Sequence, residues 1–154
     1  MPLPHDLPPT SRTVLVVERD LATRTALDRM VRALGYESRA VGDAREALRI
    51  VFAFPERVRL LLTDLWPAGM DGGELAERAR EIAPRLRVVL MAGPASDSEA
   101  ELLAAYPELP RVEKPIGIEL LRSVLRAGLG PPEAPDLPRR SGEARRRRER
   151  QSDR

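Results

Sequence analysis

The chain has no cysteine, and among its 154 residues there is one histidine and one lysine. Without thiols it has no disulfide, no thiolate nucleophile and no zinc site that needs sulfur. The single histidine, His5, lies in a proline-rich stretch near the N-terminus, which rules out a histidine-based catalytic pair or metal cluster. Aromatic residues make up 3% of the chain, too few to line a flavin site, so the core falls to Leu, Val, Ala and Ile. No apolar run approaches the ~18 residues of a membrane span. The N-terminus lacks a charged-then-apolar signal pattern, so the expected compartment is the cytoplasm. Neither a glycine-rich phosphate loop nor a nucleophile elbow is present, and a dedicated enzyme is not expected.

Arginine is what the chain has in excess. Of 26 basic residues, all but Lys114 are arginine. Residues 1–130 carry 18 basic and 19 acidic side chains, a net of −1, whereas residues 131–154 carry 8 and 5, a net of +3; together they give +2. The basicity therefore belongs to the C-terminal end. Against this background a solitary lysine marks a place where a compact, flexible ammonium serves and a planar guanidinium does not.

Residues 1–11, "MPLPHDLPPTS", read as a disordered proline-rich leader, and 131–154, "PPEAPDLPRRSGEARRRRERQSDR", as a disordered arginine-rich tail. The run Arg145–Arg148 would touch nucleic acid only through phosphates, without sequence preference, since no recognition helix or aromatic platform accompanies it. A solubilising tail is the preferred reading.

Between these ends, residues 12–130 form one domain's worth of alternating patterns. A continuous apolar run at 13–18 and the stretches 57–64 and 85–92 read as strands, with a weaker strand at 36–41 and a short one at 111–114. Helical spacing follows each of them. Ala26, Leu27, Met30, Val31 and Leu34 form one stripe, and Ala47, Leu48, Val51 and Phe52 another. Asp43 with Glu46 and Asp71 with Glu74 have capping-box spacing, and a short helix is expected near 97–105. Strands that are apolar on both faces and separated by helices imply a parallel sheet covered on both sides, a doubly wound α/β fold.

In such folds ligands sit beyond the carboxyl ends of the strands. Those ends carry Glu18, Arg19 and Asp20 after the first strand, Asp64 after the third, Ala92 after the fourth and Lys114 after the fifth. Asp64 poses a question, because "VRLLLTD" runs three leucines toward a bare carboxylate. Something must offset its desolvation, either a divalent metal on oxygen ligands or a nearby ammonium. Glu18, Asp64 and Lys114 together suit attack of a carboxylate on a phosphoryl group whose oxygens are met by positive charge. Taken singly, each has an ordinary reading: a capping carboxylate, a solvated strand-end acid, a surface lysine.

From residue 12 to about 129 the chain resembles the receiver domain of two-component response regulators. The resemblance is carried in register by "VLVVERD", "GYESRAVGDAREAL", "LLLTDLWPAGMDGGELA", "LRVVLMAG" and "EKP". It implies a flavodoxin-like five-stranded sheet in the order 2-1-3-4-5. It also implies that Asp64 accepts a phosphoryl group from a histidine kinase or phosphotransfer protein, and that Lys114 contacts the phosphoryl. Mg²⁺ would be held by Glu18, Asp64 and the backbone carbonyl of Trp66, and Pro115 would follow a cis bond. Signal would pass on through contact with a downstream protein.

Several positions depart from that pattern. Arg19 stands where the family places a second metal-binding acid, Ala92 where it places a hydroxyl, and Arg111 where an aromatic is frequent. Arg19 either stays in water or pairs with Asp64 as a built-in cation; either way magnesium binding is expected to weaken. Three functions follow as alternatives: a single-domain phosphorylated regulator, a degenerate receiver acting as a phosphorylation-independent interaction module, and a nucleic-acid-associated regulator working through the tail.

Overall fold

A computed structural model describes residues 12–94 and 96–133; the expected leader and residues 134–154 of the expected tail lie outside the described residues. The elements alternate strictly: β1 Thr13–Val17, α1 Leu21–Ala33, β2 Glu37–Val41, α2 Ala44–Ala53, β3 Val58–Asp64, α3 Gly72–Ile82, β4 Arg87–Ala92, α4 Asp97–Ala105, β5 Arg111–Glu113 and α5 Ile118–Leu129. All pairings are parallel, and the sheet order is β2-β1-β3-β4-β5, as expected.

The apolar runs become strands because both of their faces are covered. Every residue of β1 is buried, and alternate residues feed two separate cores. Leu15, Val17 and Leu61 pack under α2, α3 and α4, while Val14, Val16, Leu60 and Leu62 pack under α1 and α5. The strands are slightly shorter than the apolar runs, because their outermost residues pass into turns.

Helix starts are set by side-chain caps that satisfy otherwise unpaired N–H groups. Asp20, Asp43, Asp71 and Ser96 accept from the backbone N–H of Thr23, Arg45, Glu74 and Glu99. Asp43 thus serves Arg45, one residue short of the Glu46 N–H that a capping box would use.

One apolar position is not core. Ala44, Ala47 and Val51 define the inward line of α2, whereas Phe52 lies on its shoulder and is 75% exposed.

The chain turns from β1 outward to β2, then crosses back to β3 on the other side of β1, so the two crossovers diverge at the ends of β1 and β3. Register brings these ends level: Val17 pairs with Thr63, Asp64 with Met91 and Ala92 with Glu113. This divergence opens the cleft. At the opposite edge, Arg12 donates to Leu129 O at 2.6 Å and pairs with Glu133 at 3.1 Å, and the Tyr36 hydroxyl donates to Gly130 O. No helix among the described residues is long and apolar enough to cross a membrane.

Candidate functional site

Lys114 is the first residue past β5, and its backbone N–H donates to Ala92 O at 2.7 Å, which fixes it level with the end of β4. The Lys114–Pro115 bond is cis. From there the side chain reaches across the cleft, and its Nζ lies 2.7 Å from Glu18 Oε2 and 3.1 Å from Asp64 Oδ1. Three strand ends thus meet on one ammonium. Glu18 is 2% exposed, so its charge is nearly out of water and depends on that contact. Burial on its own lowers the Lys114 pKa, but Glu18 and then Asp64 outweigh it and hold the ammonium above the ordinary lysine value. The ammonium is what offsets the desolvation of Asp64.

The two carboxylates are also held from the backbone side. Glu18 Oε1 accepts from the N–H of Asp20 at 3.0 Å, and Asp64 Oδ1 from the N–H of Leu65 at 2.9 Å. The Lys114–Glu18 contact is close but poorly angled as a hydrogen bond, which leaves Glu18 Oε2 a buried acceptor with capacity to spare.

Sequence reasoning missed two residues that support this arrangement. Arg24, on α1, donates from Nη1 to the carbonyl of Glu18 at 3.0 Å. A Cβ at Gly42 would lie 2.5 Å from that same Nη1, so a side chain there would push the guanidinium out of this position. Next to it, Asp43 bridges Ala68, and the N–H of Ala44 donates to Ala68 O at 2.9 Å, tying the loop after β2 to the loop that carries Trp66. One arginine in a chain with so many gives no signal by itself. Gly42, placed just after a strand, was the available hint. A third residue without a sequence signal is Glu99, whose Oε1 accepts from the N–H of Gly93 at 3.3 Å and so covers the loop after β4.

The remaining strand-end positions fall outside this cluster. Arg19 is exposed, and no ion pair joins it to Asp64; the cation that Asp64 uses is Lys114. Pairing of Arg19 with Asp64 is therefore corrected: an exposed guanidinium keeps its hydration, and the cleft already holds a charge of the same sign. Asp20 caps α1, accepting from Thr23 N and Oγ1 at 2.9 and 2.7 Å. Those bonds, followed by Lys114 and Arg24, hold its carboxyl below the usual range. Ala92 is half-buried, Arg111 is exposed, and Trp66 is 43% exposed two residues beyond Asp64.

Magnesium takes oxygen ligands, commonly one or two carboxylates with water completing the shell. Glu18, with its under-used buried oxygen, and Asp64 form such a pair, and the described residues hold no group of three acidic or histidine side chains that could bind a metal. The site therefore offers magnesium a pair of carboxylates.

With this geometry in hand, comparison with known proteins is decisive. Residues 14–126 match the family model of the response regulator receiver domain. The chain belongs to that family. Over 138 residues it is 31% identical to the DNA-binding transcriptional regulator NtrC of Azospirillum brasilense, covering 88% of this chain and 28% of that protein. It is 28% identical over 116 residues to the sporulation initiation phosphotransferase F of Bacillus subtilis, covering 73% of this chain and 90% of that one. The chain thus spans just over a quarter of the first relative and most of the second.

Among solved structures, the receiver domain of a Pseudomonas aeruginosa sensor histidine kinase superposes with a TM-score of 0.66 at 24% identity, covering 79% of this chain and 99% of that one; it carries a magnesium ion in its active-site cleft. Receiver domains are signalling modules of two-component phosphorelays that work with histidine kinases or phosphotransfer proteins.

Proposed function

We propose that this receiver accepts a phosphoryl group on Asp64 from a phosphohistidine of a histidine kinase or phosphotransfer protein, and that it signals by protein contact. The observation that carries this is the single ammonium, Lys114, placed within 3.1 Å of Asp64 and 2.7 Å of Glu18. In the transfer, an Asp64 oxygen forms a bond to phosphorus as the phosphorus–nitrogen bond breaks, and the departing imidazole keeps its electron pair. Lys114 is positioned to turn from Glu18 toward the incoming phosphoryl oxygens, where a point charge is most useful. Glu18, Asp64 and the Trp66 carbonyl would hold magnesium, whose contribution is to neutralise phosphoryl charge.

The test is intact mass after incubation with acetyl phosphate and magnesium. One phosphoryl group is expected on the native chain and none on Asp64→Asn. Equal uptake by both would sink the assignment.

A second function is favoured by the absence of a hydroxyl at Ala92 and by Arg19, an exposed base next to Glu18 in the chain: a degenerate receiver that binds its partner without phosphate. Losing one phosphoryl contact costs on the order of 1.5–3 kcal/mol for a charge-assisted bond. Arg19 adds a positive charge next to Glu18 in the chain, and its exposure screens that effect. Titration followed by Trp66 fluorescence is expected to show magnesium binding about tenfold tighter in Arg19→Asp than in the native chain, since the change removes a guanidinium and adds a carboxylate next to Glu18 in the chain. Equal affinities would remove Arg19 as the cause of weak binding.

A further inference from the structure

Away from the cleft, α2 and α3 run side by side in the same direction, since both return from the carboxyl edge of a parallel sheet. Between them lies a groove of about 570 Å³, lined by Leu48 of α2 and by Glu74, Glu77, Arg78, Glu81 and Ile82 of α3. Arginines of α2 flank it on one side, and α3 lines the other with three glutamates and Arg78. On α2, Arg45, Arg49 and Phe52 fall at i, i+4 and i+7, one outward stripe beside Leu48. On α3, Glu74 is paired with Arg78 at 2.8 Å, but among the described residues neither Glu77 nor Glu81, nor Arg45 nor Arg49, is in an ion pair. Phe52, 75% exposed, has the largest exposure of the big apolar side chains among the described residues and stands one helical turn from Leu48.

We propose that this face binds a second copy of the chain. A basic wall beside an acidic wall on one surface is self-complementary, which is what a two-fold interface requires. Charge also selects the axis. A two-fold axis running along the groove sets α2 of each copy on α3 of the other, so Arg45 and Arg49 meet Glu77 and Glu81, and Phe52 reaches the apolar end of the groove near Ile82. An axis across the groove would set arginine on arginine. The lone exposed phenylalanine and the apolar floor supply the buried centre, and the charges fix the register.

Sedimentation equilibrium on the full chain tests this, with circular dichroism to confirm that each surface variant remains folded. The native chain is expected to dimerise. Arg49→Glu, Glu77→Arg and Phe52→Ser are each expected to raise the dissociation constant at least about tenfold, because every substitution occurs twice in a two-fold interface. An equimolar mixture of Arg49→Glu and Glu77→Arg is expected to dimerise again, since each new glutamate then faces a new arginine. Replacing Arg145–Arg148 by glutamine in the full chain is expected to leave the dimer intact. The proposal is overturned by a monomeric native chain, by a dimer indifferent to these surface substitutions, or by a mixture that fails to recover. Loss of the dimer on neutralising Arg145–Arg148 would overturn it too, by assigning the acidic wall to the tail.

Discussion

At the scale of single residues, the site is a charge problem with a small number of participants. Two carboxylates share one ammonium, and one of them, Glu18, is almost wholly buried. Lys114→Met keeps the aliphatic stem and removes the charge, which leaves two acids facing each other. Breaking a fully buried pair costs about 3–5 kcal/mol, and the partial exposure of Lys114 and Asp64 reduces the expected loss to about 2–3 kcal/mol. Urea denaturation at neutral pH measures it. Adding Glu18→Gln to Lys114→Met is expected to recover about 1 kcal/mol or more, because an amide tolerates burial without a cation. A Lys114→Met variant as stable as the native chain would mean that the ammonium is not what supports the acids.

The pH dependence follows the same chemistry. Because the folded pKa of Lys114 lies above its ordinary 10.5, its contribution is fully present below that value and is lost as pH rises through the folded pKa. Burial, reinforced by Asp71 and neighbouring acids, also raises the Tyr106 hydroxyl, and its titration destabilises the fold in the same direction. In a Tyr106→Phe background the remaining alkaline loss of stability is expected to vanish with Lys114→Met. A slope above pH ~10 that survives both changes would point to another group.

At the scale of elements, strands and caps were legible in the chain because their causes are local. An apolar run such as "VLVV" becomes a strand in a sheet covered on both sides, and aspartates before helical stripes become caps. The solitary Lys114 was legible for a different reason: its chemistry stands out against a background of arginine. Contacts between elements were not legible. Nothing in "RDLATRT" says that Arg24 will reach the carbonyl of Glu18, since that depends on how α1 lies against the end of β1. The same limit hid the shoulder position of Phe52.

Gly73 is another contact of this kind. A Cβ there would run into the ring of Tyr106 at the end of α4, so α3 and α4 can approach only because residue 73 has no side chain. Gly73→Ala is therefore expected to cost about 1–3 kcal/mol by overpacking, although alanine is the better helix former. In a Tyr106→Ala background the sign should reverse, with alanine at 73 gaining about 0.5–1 kcal/mol from helix propensity. Thermal or urea unfolding of the four proteins decides it; the same cost in both backgrounds would show that the ring is not the obstacle.

At the scale of the whole molecule, the sheet divides the interior into two cores that never touch except through the strands. Leu75 of α3 belongs to the core on one face and Leu125 of α5 to the core on the other, and both are fully buried. Each Leu→Ala change removes apolar burial and leaves a cavity, at about 2–5 kcal/mol. With the sheet between them the two cavities share no lining, so the double variant is expected to lose the sum of the single losses to within about 0.5 kcal/mol. Leu75 with Leu61, which lie in the same core, should instead deviate from additivity, because the space left by one can be partly filled around the other. Since such variants carry large losses, the comparison is made in a stabilising osmolyte. Coupling across the sheet as large as coupling within one core would show that the strands transmit packing strain, and the cleft at their carboxyl ends would then sense changes on either face.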